Sequence, residues 1–327
     1  MSEAFKPVIP TTTNEGKSIG RFGYRTPAEE VVTELGIDLS DRVAIITGAS
    51  SGLGKEAARV LALKGAHIII AIRNLEAGQK VAQEIQQSTG NTKIEAMLVD
   101  LTSLKSIKEF ADAFIAKKLP LNLLINNAGV MALPTRETTA DGFEMQFGTN
   151  HIGHFYLTQL LTPALIAAAP SRVVVLSSMG HAFSPIMFDD VNWEKSYDAW
   201  RAYGQSKTAN ALFALELNKR LSPKGVIAVS LHPGGAMTNL GRHISREYMI
   251  ANGWMNEDGT LHSIFKTVEQ CSSTTVYCAI APEVLEHGGA YFEDCNLSVP
   301  SPHASDPEAA AKLWEVSEKL ISDALKQ

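Results

Sequence analysis

Residues 43–54 read VAIITGASSGLG, an apolar, β-branched run that passes directly into a glycine-rich turn. Val43–Thr47 has the length and composition of a buried strand, and the apolar positions of Leu53–Lys64 predict a helix that ends at Gly65. Glycines let the backbone turn tightly and approach an anion, towards which the first N–H groups of the next helix point. A tight turn without a ligand would also need glycines. The predicted phosphate loop consists of Gly48, Ser50, Ser51, Gly52, Leu53 and Gly54.

Short β-branched runs alternate with helical stretches along the rest of the chain, which is typical of a parallel sheet with right-handed crossovers. The sequence predicts an α/β fold, a Rossmann-type doubly wound parallel sheet of about seven strands flanked by helices in a single domain. Residues 1–40 are predicted as an N-terminal extension with a short helix at Ala28–Leu35, and residues 41–327 as the domain. Residues 237–281 break the alternation and predict an irregular substrate-binding lobe. Further predicted strands are His67–Ile72, Ile94–Val99, Leu121–Ile125, Arg172–Ser177, Val226–Leu231 and one near Ala290–Phe292, and the longest predicted helices are Asp141–Ala168 and Tyr203–Leu221.

Composition and charge disfavour several classes of protein. The chain carries 29 Lys and Arg against 35 Asp and Glu, and the formal net charge of −6 would on average repel nucleic acid. No apolar run reaches the roughly 18 residues of a membrane span, and the N-terminus lacks the apolar segment of a secretory signal. We therefore expect a cytoplasmic protein without a membrane partner. The three cysteines lack metal-type spacing and are expected to be reduced thiols: Cys271, Cys278 and Cys295.

The end of the second predicted strand reads Ala71-Ile72-Arg73-Asn74. Sites selective for NAD usually place a carboxylate here, about 20 residues after the glycines, where it binds the ribose. Ile72 offers no carboxylate, whereas the guanidinium of Arg73 suits a 2′-phosphate. The strand end therefore favours NADP(H). Glu76, one helical turn later, and the alternative of a solvated surface arginine keep NAD(H) open.

Tyr203 and Lys207 stand four positions apart in YGQSK, so on a helix they share one face. A free tyrosine has a pKa near 10, and a neighbouring ammonium group lowers it, as general acid–base chemistry at neutral pH requires. The same spacing occurs by chance in many surface helices. It gains meaning here because other motifs fall at the carboxyl ends of predicted strands, where open α/β sheets bind ligands. These motifs are the loop at 48–54, Asp100-Leu101, Asn126–Gly129, Ser177-Ser178 and Pro233-Gly234.

The motifs TGASSGLG, NNAG, YGQSK and HPG, in this order, resemble those of the short-chain dehydrogenase/reductase family over about residues 41–291. The segments AIRN and TNHIGHF are most similar to its subgroup of retinol dehydrogenases and WW-domain oxidoreductases. The resemblance implies an NADP(H)-dependent oxidoreductase that interconverts an alcohol and a carbonyl on a small, lipophilic substrate by hydride transfer. Unlike that subgroup, the chain shows no apolar N-terminal anchor and no tryptophan before Trp193, so neither an anchor nor a WW domain is expected.

The resemblance also implies roles for individual residues. Tyr203 would exchange a proton with the substrate oxygen, and Lys207 would lower the pKa of that tyrosine and bind the nicotinamide ribose. Ser178 would hold the substrate oxygen, and Asn150 would keep a water molecule in the proton relay. Besides the phosphate loop and Arg73, the resemblance implies cofactor contacts at Asp100, Leu101, Asn126, Ala128, Gly129, Lys207, Pro233, Gly234 and Thr238.

Other readings of the same motifs stay open. His151 and His154 have helical spacing beside Asn150, but no carboxylate or cysteine lies at ligand spacing, so no metal site is expected. A catalytically silent, nucleotide-binding regulatory protein of the same fold is disfavoured by the complete set of Ser, Tyr, Lys and Asn. A sugar-nucleotide epimerase or dehydratase, which would share the tyrosine–lysine pair, is disfavoured by the glycine spacing.

The sequence does not identify the substrate, because the segments 181–202 and 237–281 carry no readable code. The first of them holds Phe183, Phe188, Trp193 and Trp200, which predict either a wall of the substrate pocket or an ordinary packed insertion. Relatives often assemble through the two longest predicted helices, so a homodimer or homotetramer is compatible with the sequence.

Overall fold

One sheet organises the protein, whose computed structural model describes residues 20–326. Its strands are β1 (Val43–Thr47), β2 (His67–Ile72), β3 (Ile94–Leu98), β4 (Leu123–Asn126), β5 (Ser171–Leu176), β6 (Val226–His232), β7 (Tyr291–Glu293) and β8 (Asn296–Ser298). They lie in the order β3-β2-β1-β4-β5-β6-β7-β8, and all neighbours are parallel except β7 and β8. The predicted Rossmann-type α/β fold is confirmed, with one antiparallel strand added at an edge.

Helices cover both faces of the sheet, because its inner strands are apolar on both sides. Ile45 and Ile46 of β1 point to opposite faces and belong to two separate hydrophobic cores. The helices are α1 (Ala28–Leu35), α2 (Gly52–Leu63), α3 (Leu75–Thr89), α4 (Leu104–Ala116), α5 (Met145–Phe147), α6 (Gly153–Ala167), α7 (Ala199–Leu221), α8 (Arg246–Ala251), α9 (Val268–Ile280) and α10 (Pro307–Ala324). Helices α1, α2, α3 and α9 pack on the face of Ile46, and α4, α6, α7 and α10 pack on the face of Ile45.

The strand order reverses between β1 and β4. Strand β1 pairs with β2 on one side and with β4 on the other, so the crossovers after β1 and β4 run in opposite directions. The loops that follow β1 and β4 therefore lead away from each other and leave a crevice at the carboxyl ends of the two strands. Open α/β sheets bind ligands in such a crevice. The glycine turn after β1 and the NNAG segment after β4 therefore meet at this crevice.

The antiparallel edge strand β8 was not predicted. It is joined to β7 by the two-residue turn Asp294-Cys295, and both of these residues have positive φ, 51° and 61°. Such a pair is typical of the tight turns that connect antiparallel strands. A three-residue strand is too short to show a periodic pattern, which is why the sequence did not indicate it.

The predicted helix at 141–168 begins later than expected. Helix α5 starts at Met145, and a π-helical turn at Gly148–Ile152 separates it from α6. π-helical turns are frequent at functional sites, because they re-aim the backbone of a helix. Asn150 lies within this turn, and its carbonyl group is hydrogen-bonded to Nδ1 of His154 at 2.9 Å.

The last part of the predicted irregular lobe, from Val268 onward, is a regular helix. Helix α9 begins with a capping box formed by Thr267 and Gln270, and it is buried against the sheet and α2. The polar residues Ser272–Thr275 of this helix are fully buried, and the Ser272 hydroxyl, for example, donates to the backbone carbonyl of Val268. Because polar residues stand at buried positions, the sequence lacks the apolar periodicity of a helix here. Residues 237–267 therefore make up the irregular lobe, here called the substrate lobe.

Residues 20–40 pack onto the domain. The short helix predicted at Ala28–Leu35 is confirmed as α1, whose residues Val31 and Val32 are fully buried in the core shared with α2 and α9. Phe22 is also buried and meets the ring of Tyr277 on α9 edge-on at 6.0 Å. The folded unit therefore includes residues that precede Asp41.

Cys271, Cys278 and Cys295 are buried and form no disulfide bond, and their reduced state stays a prediction. None of the helices between residues 20 and 326 has the length and apolar character of a membrane span.

Candidate active site

A cavity of about 780 Å³ runs along the carboxyl edge of the sheet, from the glycine turn after β1 to the start of α7. Its volume lies within the range of cofactor and substrate sites. Most of the predicted site residues line it, although they come from six different strand ends and from α7. These residues are Gly48, Ser50, Ser51, Gly52, Leu53, Gly54, Arg73, Asp100, Leu101, Ala128, Gly129, Ser178, Tyr203, Lys207, Pro233, Gly234 and Thr238.

The glycine turn forms one end of the cavity. Gly48 has a φ of 68°, and a Cβ atom there would lie 2.9 Å from the Cα of Ala128, so only glycine fits. Helix α2 begins at Gly52, and its N-cap Ser51 makes no side-chain hydrogen bond to the first turn. The N–H groups of that turn are therefore available to an anion, as a pyrophosphate cradle requires.

The hydroxyl group of Thr47 connects the glycine turn with the segment after β4. Its oxygen accepts hydrogen bonds from the N–H groups of Asn127 (2.9 Å) and Ala128 (3.0 Å), so its proton is available to Nε2 of His154 at 2.8 Å. The Nδ1–H of His154 then donates to the carbonyl of Asn150 at 2.9 Å. This neutral tautomer agrees with burial, which lowers the pKa of His154 to about 4. In the sequence, the signal for these contacts is the histidine four residues after Asn150. The sequence suggested only a metal ligand as its role.

The second histidine of that segment has a packing role. His151 contacts the Ser317 hydroxyl on α10 at 2.8 Å and packs between the rings of Phe147 and Phe213. Across residues 20–326, no cluster of three or more His, Cys, Asp and Glu side chains is arranged to bind a metal ion.

Asn126 does not line the cavity. Its side chain is buried, and its Nδ2 donates to Oγ1 of Thr158 at 3.1 Å. The neighbouring Asn127 lines the cavity instead, and its Nδ2 donates to the carbonyl of Thr47 at 2.7 Å. The side chain of Asn126 is therefore not placed for the predicted cofactor contact, because strand β4 extends to this residue and turns its side chain into the core.

Asn150 also lies outside the cavity, and its side chain is committed to the protein. Its Oδ1 accepts from the N–H of Val130 at 2.8 Å, and its Nδ2 donates to the Val130 carbonyl at 3.0 Å and to the Ser206 hydroxyl at 2.9 Å. Asn150 thus joins the segment after β4 to α7. Its role in a water relay stays a prediction.

Tyr203, Lys207 and Ser178 converge at the inner end of the cavity. The phenol of Tyr203 is hydrogen-bonded to Ser178. The Nζ of Lys207 lies 5.6 Å from the centre of the Tyr203 ring and donates to the carbonyl of Leu176 at 3.1 Å. Gly180 permits this approach, since a Cβ atom there would lie 2.7 Å from Cε1 of Tyr203.

Burial controls the protonation of this pair. It raises the pKa of Tyr203 to about 12, which the hydrogen bond from Ser178 only partly opposes. It lowers the pKa of Lys207 to about 8. The net shift of the Tyr203 pKa is upward, because burial outweighs the lowering predicted from Lys207. At neutral pH, the phenol of Tyr203 is therefore uncharged and Lys207 is a cation.

His181 fixes Ser178, a contact that the sequence did not indicate. The Nε2 of His181 accepts from the N–H of Ser301 at 2.9 Å, so its Nδ1–H donates to the Ser178 carbonyl at 2.6 Å. The Ser178 hydroxyl accepts from the N–H of Gly180 at 3.0 Å. Both the backbone and the side chain of Ser178 are therefore held in place beside Tyr203.

Arg73 lies at the opposite end of the cavity, at the end of β2. Its side chain is exposed and forms no hydrogen bond or ion pair with any of residues 20–326. The adjacent Asn74 caps α3 by accepting from the N–H of Ala77 at 3.0 Å. The carboxylate of Asp100 accepts from the N–H and hydroxyl groups of Thr102. The guanidinium group is therefore the free charged group at this end of the cavity among the residues that the structure describes.

An aromatic wall of Phe183, Trp200 and Trp254 lines the cavity beside Tyr203. Trp200 stacks on Tyr248 with ring centres 5.6 Å apart and meets Trp254 edge-on at 5.7 Å. It also contacts the rings of Phe183 at 6.1 Å and Tyr203 at 6.3 Å. Substrate bound beside Tyr203 would thus contact indole and phenyl surface rather than water. Methionines complete the apolar lining, namely Met131, Met145, Met179, Met237 and Met249.

The segment 181–202 was predicted to form either a wall of the substrate pocket or a packed insertion, and it contains both. Phe183 and Trp200 line the cavity. Trp193 is buried away from it, and Phe188 packs under the ammonium group of Lys312 on α10. Part of the segment is therefore a pocket wall and part is a packed insertion.

The strand order, the glycine turn and the Ser178–Tyr203–Lys207 group invite comparison with known proteins. The profile of a family described as short chain dehydrogenase matches residues 42–249. The chain belongs to the short-chain dehydrogenase family. Members of this family are oxidoreductases, of the type that acts on CH–OH groups, and so is this protein.

Individual short-chain dehydrogenases agree over most of the chain. Human retinol dehydrogenase 13 is 44% identical over 285 residues, covering 86% of this chain and 84% of its own. The WW domain-containing oxidoreductase of Danio rerio is 42% identical over 311 residues, covering 93% of this chain and 73% of its own. The predicted resemblance to this subgroup is confirmed. A solved structure, the Pseudomonas aeruginosa RhlG/NADP active-site complex, has a TM-score of 0.59 at 25% identity and covers 78% of this chain and 95% of that one.

The cavity of this short-chain dehydrogenase fits a nicotinamide dinucleotide. At one end the close-packed turn at Gly48 and the free N–H groups of α2 suit a pyrophosphate. Farther along the same cavity, the phenol of Tyr203 lies beside the ring of Trp200.

Proposed function

We propose that the protein is an NADP(H)-dependent oxidoreductase that interconverts a carbonyl and an alcohol on a small, lipophilic molecule, with Tyr203 as its general acid and base. The observation that supports this most directly is the continuity of one cavity. It joins the unpaired Arg73 and the glycine turn to a neutral phenol that is hydrogen-bonded to Ser178.

The catalytic residues have complementary roles in carbonyl reduction. A nicotinamide bound in the cavity supplies the hydride. Ser178 and Tyr203 present hydroxyl groups to the same substrate oxygen, and Tyr203 transfers its proton to that oxygen. The buried ammonium of Lys207 stabilises the phenolate that remains, because attraction between opposite charges is strong where water is excluded. In alcohol oxidation, the phenolate accepts the proton instead.

NADP(H) is proposed over NAD(H) on the basis of Arg73. Replacing Arg73 by Ala is expected to weaken NADPH binding about 10- to 100-fold, because hydrogen bonds to a charged group contribute about 1.5–3 kcal/mol. Binding of NADH should change less than about twofold, since it has no 2′-phosphate. Fluorescence titration of both nucleotides measures the two Kd values. Lys80→Ala removes a charge from the exposed side of α3, outside the cavity, and serves as the matched control. Equal weakening of both nucleotides in R73A would show that Arg73 does not bind the phosphate.

A lipophilic substrate is proposed because of the aromatic wall. Trp254 lines the cavity but does not contact Tyr203, so its replacement by Ala should affect binding without altering proton transfer. For bulky, apolar ketones we expect KM to rise about tenfold or more, because an indole ring buries a large apolar surface. For a three- or four-carbon ketone the KM should stay within about twofold. NADPH absorbance with a panel of carbonyl compounds measures both effects, and equal changes for large and small ketones would contradict the proposal.

The catalytically silent alternative predicts NADPH binding without turnover of any carbonyl or alcohol in that panel. The convergence of Ser178, Tyr203 and Lys207 in the cavity favours the enzyme over this alternative. A cytoplasmic location and a homodimer or homotetramer stay predictions, to be checked by cell fractionation and by light scattering.

A further inference from the structure

Tyr24 and Arg25 contact residues 263–265 at the end of the substrate lobe, although about 240 residues of chain separate the two segments. The Tyr24 hydroxyl donates to the carbonyl of Ile264. The guanidinium group of Arg25 donates to the carbonyls of Ser263 and Phe265, the latter at 3.0 Å. Three consecutive carbonyls of an irregular segment thus find their partners in two adjacent side chains.

Residues 263–265 are followed by Lys266, which packs against Gly234-Gly235 in the lining of the cavity. The N–H of Lys266 donates to the carbonyl of Gly235 at 2.8 Å, and a Cβ atom on Gly234 would lie 2.8 Å from Cδ of Lys266. Gly234 has a φ of 97°. The turn at Gly234-Gly235 is therefore packed against the Lys266 stem, and both line the cavity.

The side chain of Lys266 makes a further contact between the substrate lobe and Tyr24. Its ammonium is buried in an ion pair with Asp294 and lies 4.3 Å from the centre of the Tyr24 ring. An ammonium over an aromatic face is favourable, more so when both are shielded from water. Tyr24 also lines the cavity itself, so the residues before Asp41 contribute directly to the site.

We propose that Tyr24 and Arg25 are positioning residues that hold residues 263–266 against Gly234-Gly235 and thereby set the affinity for the cofactor. Irregular backbone without such partners samples many conformations, and ordering it on binding lowers affinity. The link to cofactor affinity rests on the proposed function, whereas the effect on residues 263–266 does not. Neither residue transfers a proton or contacts Tyr203.

The test compares the unaltered protein with the double variant Tyr24→Leu, Arg25→Met. The control is Arg21→Met. Arg21 lies in the same segment but pairs with Glu34 of α1 on the surface. Hydrogen exchange is measured at the amides of Phe265 and Lys266, which donate to the carbonyls of His262 and Gly235. In the double variant we expect exchange there to accelerate about tenfold, because hydrogen bonds that hold the segment are lost. In Arg25→Met alone, whose side chain does not line the cavity, the Kd for NADPH should rise about three- to tenfold while kcat stays within about twofold. The control should match the wild type in all three measurements.

Unchanged exchange at residues 265 and 266 in the double variant would overturn the proposal, and so would equal acceleration in R21M. A general loss of stability would accelerate exchange in α1 and α9 as well, so acceleration confined to the lobe supports positioning. If exchange accelerates but the Kd for NADPH in R25M does not change, the control of cofactor affinity is wrong. If the wild type binds no NADPH at all, the proposed function fails while the exchange measurement still decides whether the contact positions the segment.

Discussion

Replacing Tyr203 by Phe is expected to lower kcat for carbonyl reduction by about 10²- to 10⁴-fold, the usual contribution of a positioned general acid. The phenol of Tyr203 is neutral at neutral pH, because burial raises its pKa to about 12, and its hydrogen-bond partner is Ser178. Phenylalanine keeps the ring, its contacts with Trp200 and the packing against Gly180. Only the hydroxyl group is removed, so the Kd for NADPH should change less than about twofold.

The matched control is Tyr277→Phe. The Tyr277 hydroxyl is hydrogen-bonded to Glu283 at 3.0 Å, on the face of the sheet that carries α9, and it does not line the cavity. Its loss should leave kcat unchanged. Single-turnover measurements with NADPH bound in advance separate the chemical step from binding and release. Undiminished reduction by Y203F would show that another group donates the proton.

Much of the fold follows from short-range patterns in the sequence. The buried strands are compact β-branched runs, and the motifs that bind ligands in such folds stand at their carboxyl ends. A pattern of that kind places Gly48, Ser178 and Tyr203 at one edge of the sheet without any knowledge of their contacts. Such a pattern misplaces a side chain where the end of a strand differs by one residue from the prediction. Asn126 is still part of β4, so Asn127 lines the cavity in its place.

The parts of the site that sequence patterns could not supply depend on long-range packing. His154 bonds to Thr47 and His181 bonds to Ser178 because helices and loops distant in sequence meet in space. The pKa of Tyr203 depends on how deeply the ring is buried, which no local spacing encodes. The contact of Tyr24 with the substrate lobe joins two segments that both look irregular in the sequence, and it is visible only once the chain is folded.

The second large effect is expected for Lys207→Met, which should lower kcat for reduction about 100-fold. An ammonium 5.6 Å from the ring stabilises a phenolate by about 3 kcal/mol at an effective dielectric constant of 20. Methionine has a similar length and leaves no buried carbonyl without a partner, since the Leu176 carbonyl also accepts from Nδ2 of Asn210 at 2.9 Å. Because burial disfavours the charged lysine, the variant should fold with an undiminished melting temperature at neutral pH.

The pH dependence of the same reaction tests this role of Lys207 independently. Burial lowers the pKa of Lys207 to about 8, so the side chain is a cation below that pH and loses its charge as the pH rises through it. Reduction by the wild type should therefore be fastest below pH 8 and should decline above it, whereas Tyr203, with a pKa of about 12, keeps its proton throughout this range. In K207M the rate should be low and independent of pH between 6 and 9, because the titrating group is gone. A decline near pH 8 that persists in K207M would assign it to another group and remove Lys207 from the proton transfer.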